Sequence, residues 1–192
     1  VPLTKDDIIY CHDYHPYWLY DDEGRRQRNP ECKGTSRVLL DLKNSNGQTW
    51  QQTQDSAVRY FVSAAEKEMR ARVPLPPTTN IVVVPSSKKD MVSLNLERVA
   101  QGLATLFDFK FVKNGLIRTV TVPSAHDGGV RSIPVHIDSI VVSHALPRDG
   151  NTVLLLDDVT TTGSTILACK ELLKTAGFNH VVPLALCQSV RT

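Results

Sequence analysis

The residues best suited to chemistry are the adjacent carboxylates Asp157 and Asp158 and the stretch that follows them, Val159-Thr160-Thr161-Thr162-Gly163-Ser164-Thr165. A loop of threonines, glycine and serine lets the backbone wrap an anion, and its hydroxyls donate further hydrogen bonds. The natural guest is a phosphate. Two carboxylates just upstream would repel a bare phosphate and so need partners of their own. Adjacent sugar hydroxyls can donate to them, and a nearby Mg²⁺ would relieve their charge. A phosphate, a diol and a divalent ion together describe a phosphorylated ribose.

Two elements must position this loop. Val153 to Leu156 is a short continuous apolar run, as expected of a strand buried on both faces. After the loop, Ile166, Cys169 and Leu173 recur at helical spacing, so the acids and hydroxyls sit between a strand and a helix N-terminus. Such a terminus has unpaired N–H groups and partial positive charge, which suits an anion. A bland reading, a buried strand ending in an N-capped helix with solvated acids, does not explain two acids ahead of five small or hydroxyl positions. No Gly-Lys-Ser/Thr is present, so this is not a P-loop.

The stretch VLLLDDVTTTGST resembles the phosphoribosyl-pyrophosphate (PRPP) motif of type I phosphoribosyltransferases, with Thr160 where that motif usually has an aliphatic residue. The resemblance implies transfer of ribose 5-phosphate from PRPP to a nitrogen nucleophile, with loss of pyrophosphate. It implies that Asp157 and Asp158 hold the ribose hydroxyls and the Mg²⁺ shell, and that Thr161, Thr162, Gly163, Ser164 and Thr165 cradle the 5′-phosphate. Purine-salvage members often carry an acidic residue in the loop as a base toward the purine. Thr161 stands there, and a threonine is a poor general base.

A second strand-loop-helix unit precedes the motif. Ile81 to Val84 is an apolar strand, Pro85-Ser86-Ser87-Lys88-Lys89 a polar loop, and Leu96, Val99, Leu103 and Leu106 mark a helix. Loops at the carboxyl ends of parallel strands gather at one edge, which places this loop beside the acids. In the family, the loop here holds the pyrophosphate, a task for Ser86, Ser87 and Lys88, with Lys89 as a further cation. The long mixed segment from Gly115 to His144 has the length of a lid. In the family, a mobile loop there closes over the pyrophosphate, with Gly128-Gly129 as a flexible tip and Arg131 as a catalytic phosphate contact; His126 is a candidate acid-base group. Elsewhere the pattern predicts a strand within Ser36–Leu42, a helix over Gln52–Arg72, and strands over Phe109–Val112 and His180–Cys187.

Alternation of strand and helix predicts an α/β fold: an open, mainly parallel twisted sheet with helices on both faces, an irregular N-terminal segment and a lid. The expected division is 1–33 for that segment and 34–192 for the phosphoribosyltransferase-like domain. The order of elements is similar to the ComF-like branch of the family. That branch usually has an N-terminal four-cysteine zinc module and an arginine-rich stretch after the pyrophosphate loop. Here Cys11, His12, His15 and Cys32 match no zinc spacing, and MVSLNLERVA occupies the place of that stretch.

A net charge of +2 over 192 residues argues against nucleic-acid binding through bulk charge, although Arg25, Arg26 and Arg28 form a local basic run and leave nucleic acid open as a partner. No apolar run has the length of a membrane span. The N-terminus lacks a signal-peptide pattern, and the four scattered cysteines suit a reduced, cytoplasmic chain. The expected partners are PRPP or another ribose 5-phosphate ligand, Mg²⁺ and a second copy of the chain. The alternatives are a PRPP- or nucleotide-sensing regulatory module, or a ComF-like accessory protein of DNA uptake or phage defence.

Overall fold

The computed structural model describes residues 7–43, 50–72, 74–122, 132–148 and 152–190. Its centre is strand β8 (Thr152–Thr160), whose residues alternate between two apolar layers. Leu154 and Leu156 face one layer, Val153 and Leu155 the other, as the two-residue strand period requires. Strand β9 (His180–Ser189) pairs with β8 on one side and strand β4 (Asn80–Val83) on the other, both parallel. Strand β1 (Ile9–Tyr14) adds beyond β9 and β5 (Lys110–Phe111) beyond β4, again parallel. The described sheet therefore runs β1-β9-β8-β4-β5.

Helices cover both faces, as the sequence predicts. On one face lie α1 (Thr35–Lys43), α2 (Gln51–Arg72) and α3 (Leu94–Phe107). Leu39, Leu42, Phe61, Ala65, Met69, Val99 and Leu103 pack there against Ile81, Val83, Leu154 and Leu184. On the other face α5 (Ser164–Thr175) presents Ile166, Cys169 and Leu173 to Val82, Leu155 and Ala185. Two small antiparallel pairs stand outside the sheet: β2 (Trp18–Tyr20) with β3 (Arg26–Arg28), and β6 (Leu116–Arg118) with β7 (Ile140–Val142). The short helix α4 (Ile133–Ile137) precedes β7.

Two expectations are corrected. Residues 36–42 form helix α1, not a strand. A short apolar run fits either state, and here Ser36, Leu39 and Leu42, spaced by three, are the buried positions. The segment 1–33 is not simply irregular, because Ile9–Tyr14 is an edge strand of the main sheet. Its sequence, IYCHDY, hides this: an edge strand needs no continuous apolar run, and none of its six residues is fully buried. The lid residues His126, Gly128, Gly129 and Arg131 lie outside the described residues. Among the described residues no helix is long and apolar enough to cross a membrane.

The topology decides where a site belongs. After β4 the chain crosses through α3 to β5; after β8 it crosses through α5, on the opposite face, to β9. The two loops leave the sheet in opposite directions, so a crevice opens between the carboxyl ends of β4 and β8.

Candidate functional site

That crevice is a cleft of about 430 Å³, lined by both loops. From the β8 side come Asp157 and the run Thr160 to Ile166; from the β4 side come Pro85, Ser86 and Ser87.

The β8–α5 turn is built around Gly163. It caps α5 with φ +80°, in the left-handed region that favours glycine. Its carbonyl accepts the first helical bond, from the Leu167 N–H at 2.9 Å. A Cβ at this position would come within 2.8 Å of Ile8 Cδ1. The Thr162 hydroxyl lies 2.9 Å from that of Ser164 and accepts from the Ser164 N–H at 3.4 Å. Thr161, Thr162, Gly163, Ser164 and Thr165 all line the cleft at the start of α5. Hydroxyls and helix N-terminal N–H groups in this arrangement could cradle an anion.

Strand β8 runs past both acids, further than the apolar run alone indicates, so neighbouring side chains at 157 and 158 leave opposite faces of the sheet. Asp157 lines the cleft and accepts the Asp158 N–H at 2.9 Å. Burial, then the charge of Asp158, push the Asp157 carboxyl up to about 8, against the pull of that N–H and of Lys43. Asp158 meets Lys43, whose Nζ lies 3.4 Å from Asp158 Oδ1. Desolvation pulls the Lys43 ammonium down, but Asp158, Asp157 and Tyr14 outweigh it and hold its pKa above the usual lysine value.

The β4 loop is folded on itself. The Ser86 N–H donates to the Met91 carbonyl at 2.9 Å, the Lys89 N–H donates to Thr121 Oγ1 at 2.9 Å, and Asp90 takes φ +55°. Ser86 and Ser87 reach the cleft; Lys88 and Lys89 are exposed and are not among its lining residues. The cation that braces the loop is Arg118, only 1% exposed. Its Nε donates to the Ser86 carbonyl and its Nη1 to Ser139 Oγ at 2.6 Å, and its burial lowers its pKa. His136 packs beside it with Nε2 3.2 Å from Thr165 Oγ1; burial, then Arg118, lower its pKa and favour the neutral ring.

Sequence reasoning thus brought Asp157, Ser86, Ser87 and Thr161–Thr165 to one cleft, with Asp158 behind it on Lys43. It gave no role to Lys43, Arg118 or His136, all of which line the cleft. For Arg118 a signal existed: a single charge at the end of the short strand Leu-Ile-Arg, directly after two apolar residues. For Lys43 the strand reading of 36–42 hid the helix end that delivers it.

Hard oxygen donors suit Mg²⁺. Among the described residues, however, no group of three or more His, Cys, Asp or Glu side chains is placed to hold a metal, so the two aspartates would need ligand oxygens or water to complete a shell.

No known protein-family pattern matches the chain, and no curated protein matches it. Among solved structures, it is similar to the crystal structure of a purine phosphoribosyltransferase from Pyrococcus horikoshii Ot3. The TM-score is 0.38 and the identity 18%, over 69% of this chain and 86% of that one.

Proposed function

We propose that the chain is a phosphoribosyltransferase of the type I class, binding PRPP with Mg²⁺ and passing its ribose 5-phosphate to a nitrogen nucleophile. The observation that carries this reading is the convergence, at one sheet switch point, of the Thr161–Thr165 cradle, Asp157 and the Ser86-Ser87 loop. The 5′-phosphate sits in the cradle at the start of α5. Asp157 lines the sugar side, Asp158 stands behind it on Lys43, and these two acids are the groups that orient the ribose hydroxyls. The backbone and hydroxyls of Ser86 and Ser87 hold the pyrophosphate end, on a loop that Arg118 keeps in place. Bond breaking at C1 develops oxocarbenium character, so these groups act by positioning and by stabilising charge. Mg²⁺, when bound, neutralises the departing pyrophosphate. Thr161 offers no acid-base group toward a purine, which favours a pyrimidine, ammonia or another amine as acceptor. A homodimer and the ComF-like branch are the assembly and the relationship that accompany this reading.

One observation favours a second reading, a PRPP-sensing module. Lys88 is exposed, and the cleft's guanidinium, Arg118, is engaged by Ser86 and Ser139, so the pyrophosphate end of the described structure presents little open positive charge. The deciding experiment measures Mg²⁺-dependent pyrophosphate release from PRPP across a panel of bases, ammonia and amines, alongside binding of PRPP and ribose 5-phosphate by calorimetry. Release with one acceptor supports the transferase. Tight PRPP binding with no release under any acceptor supports the sensor. No binding of either ligand refutes both.

A further inference from the structure

The acid pair is not an open pair of carboxylates. Asp158 Oδ1 lies 3.4 Å from the Lys43 ammonium, which enters from the last turn of α1 and itself lines the cleft. Asp157 faces the other side of the sheet and accepts the Asp158 N–H. Among the described residues no third carboxylate, histidine or cysteine joins the two to make a metal site.

We propose that Lys43 is a resident counter-ion that keeps the acid pair free of divalent metal until a phosphorylated ligand carries the metal in. A compact ammonium on a flexible stem is suited to this. Its side chain is 36% exposed and already lines the cleft, although its ammonium is largely desolvated, so a ligand oxygen in the cleft is the partner it can take in place of Asp158. A metal aquo-ion arriving alone would meet one carboxylate already paired and another turned away, with no further carboxylate, histidine or cysteine grouped with them among the described residues. A metal chelated by pyrophosphate and ribose hydroxyls brings most of its own shell and needs only to displace Lys43 from Asp158. The displaced ammonium then lies in the cleft, available to the ligand's negative charge. The inference rests on the reading of Asp157 and Asp158 as the metal side of the cleft.

The test needs no turnover. Mn²⁺ binding to the free protein is measured by electron paramagnetic resonance for wild type, K43M, K43Q, K43R and the double variant K43M/D158N, with the thermal midpoint of each recorded. K43M and K43Q should bind one Mn²⁺ at least tenfold more tightly than wild type. K43R should stay at the wild-type level, and K43M/D158N should lose the gain. Equal Mn²⁺ affinity in wild type, K43M and K43Q overturns the proposal, and so does a gain that survives D158N. PRPP and ribose 5-phosphate binding on the same samples separates this outcome from the functional reading. A Lys43-dependent Mn²⁺ difference without sugar-phosphate binding would sink the transferase assignment and the ligand-borne delivery of metal while keeping Lys43 as the block to free metal; sugar-phosphate binding without the difference would sink the counter-ion alone.

Discussion

Replacing Asp157 with asparagine should stabilise the free protein at neutral pH while weakening its hold on ligand. The Asp157 carboxyl is pushed from an ordinary 3.8 up to about 8, by burial first and by the neighbouring Asp158 charge second. Between those values the unfolded chain has released a proton that the native chain keeps. Stability therefore falls as pH rises, by at most about 1.4 kcal/mol per pH unit from this one group. From the ordinary carboxylate range to pH 7 the ceiling is about 4 kcal/mol; Lys43 nearby and partial access to solvent in an open cleft reduce the expected effect to roughly 2 kcal/mol. Asparagine keeps an oxygen to accept the Asp158 N–H and carries no charge to desolvate.

The assay is a set of urea melts at pH 5, 6, 7 and 8 for wild type and D157N. Comparing the two cancels the opposite trend from His136 and His12, whose lowered pKa values make stability rise with pH near their titration range. D157N should gain on wild type steadily from pH 5 to pH 7 and level off above pH 8. A stability difference that does not change with pH, or that favours wild type increasingly as pH rises, would refute the reasoning. It would mean that Asp157 is an ordinary ionised carboxylate.

Gly163→Ala should lose roughly 1–3 kcal/mol of stability, because φ is +80° and the new Cβ would press on Ile8; a thermal midpoint within a degree of wild type would remove that strain. For the same reason Gly163→Val should damage the fold as well as the cradle. Arg118→Lys should cost about 1–3 kcal/mol and weaken ligand binding, since one ammonium cannot reproduce the guanidinium's fork between Ser86 and Ser139; denaturant melts and calorimetry check the two effects. Lys88→Ala should lower kcat more than it raises KM if the exposed loop lysine engages only the departing pyrophosphate, and steady-state kinetics with the identified acceptor decide it.

The parts of the structure that sequence revealed are those in which one local pattern has one physical outcome. Val153–Leu156 must be buried on both faces, and Gly163 after three threonines must turn, so β8, its loop and α5 were legible together. Helix α1 was not, because Val38 to Leu42 is too short for periodicity to separate strand from helix. Strand β1 was not, because its stability comes from pairing with β9 at residues 184–189, which no reading of IYCHDY contains. The same reason hid two of the cleft's cations. Lys43 lies more than a hundred positions before Asp158, and Arg118 reaches the Ser86 carbonyl across 32 residues. Local spacing places a motif, but the charges that balance it are delivered by tertiary packing.

Those delivered charges divide the cleft's work. Arg118 is buried and holds backbone and hydroxyl rather than a carboxylate, so its part is to fix the β4 loop where a pyrophosphate would lie. Lys43 is partly exposed and rests on an acid, so it can exchange partners. Lys88 and Lys89 are exposed on the loop that Arg118 braces. A ligand with phosphate at both ends would therefore meet the Thr161–Thr165 cradle at α5, Asp157 with Lys43 and Asp158 beside it, and the braced Ser86-Ser87 loop at the far end, with Lys88 and Lys89 outside the cleft. The charge fixed by packing therefore sits under the β4 loop, and the charge free to change partner sits on the acid pair.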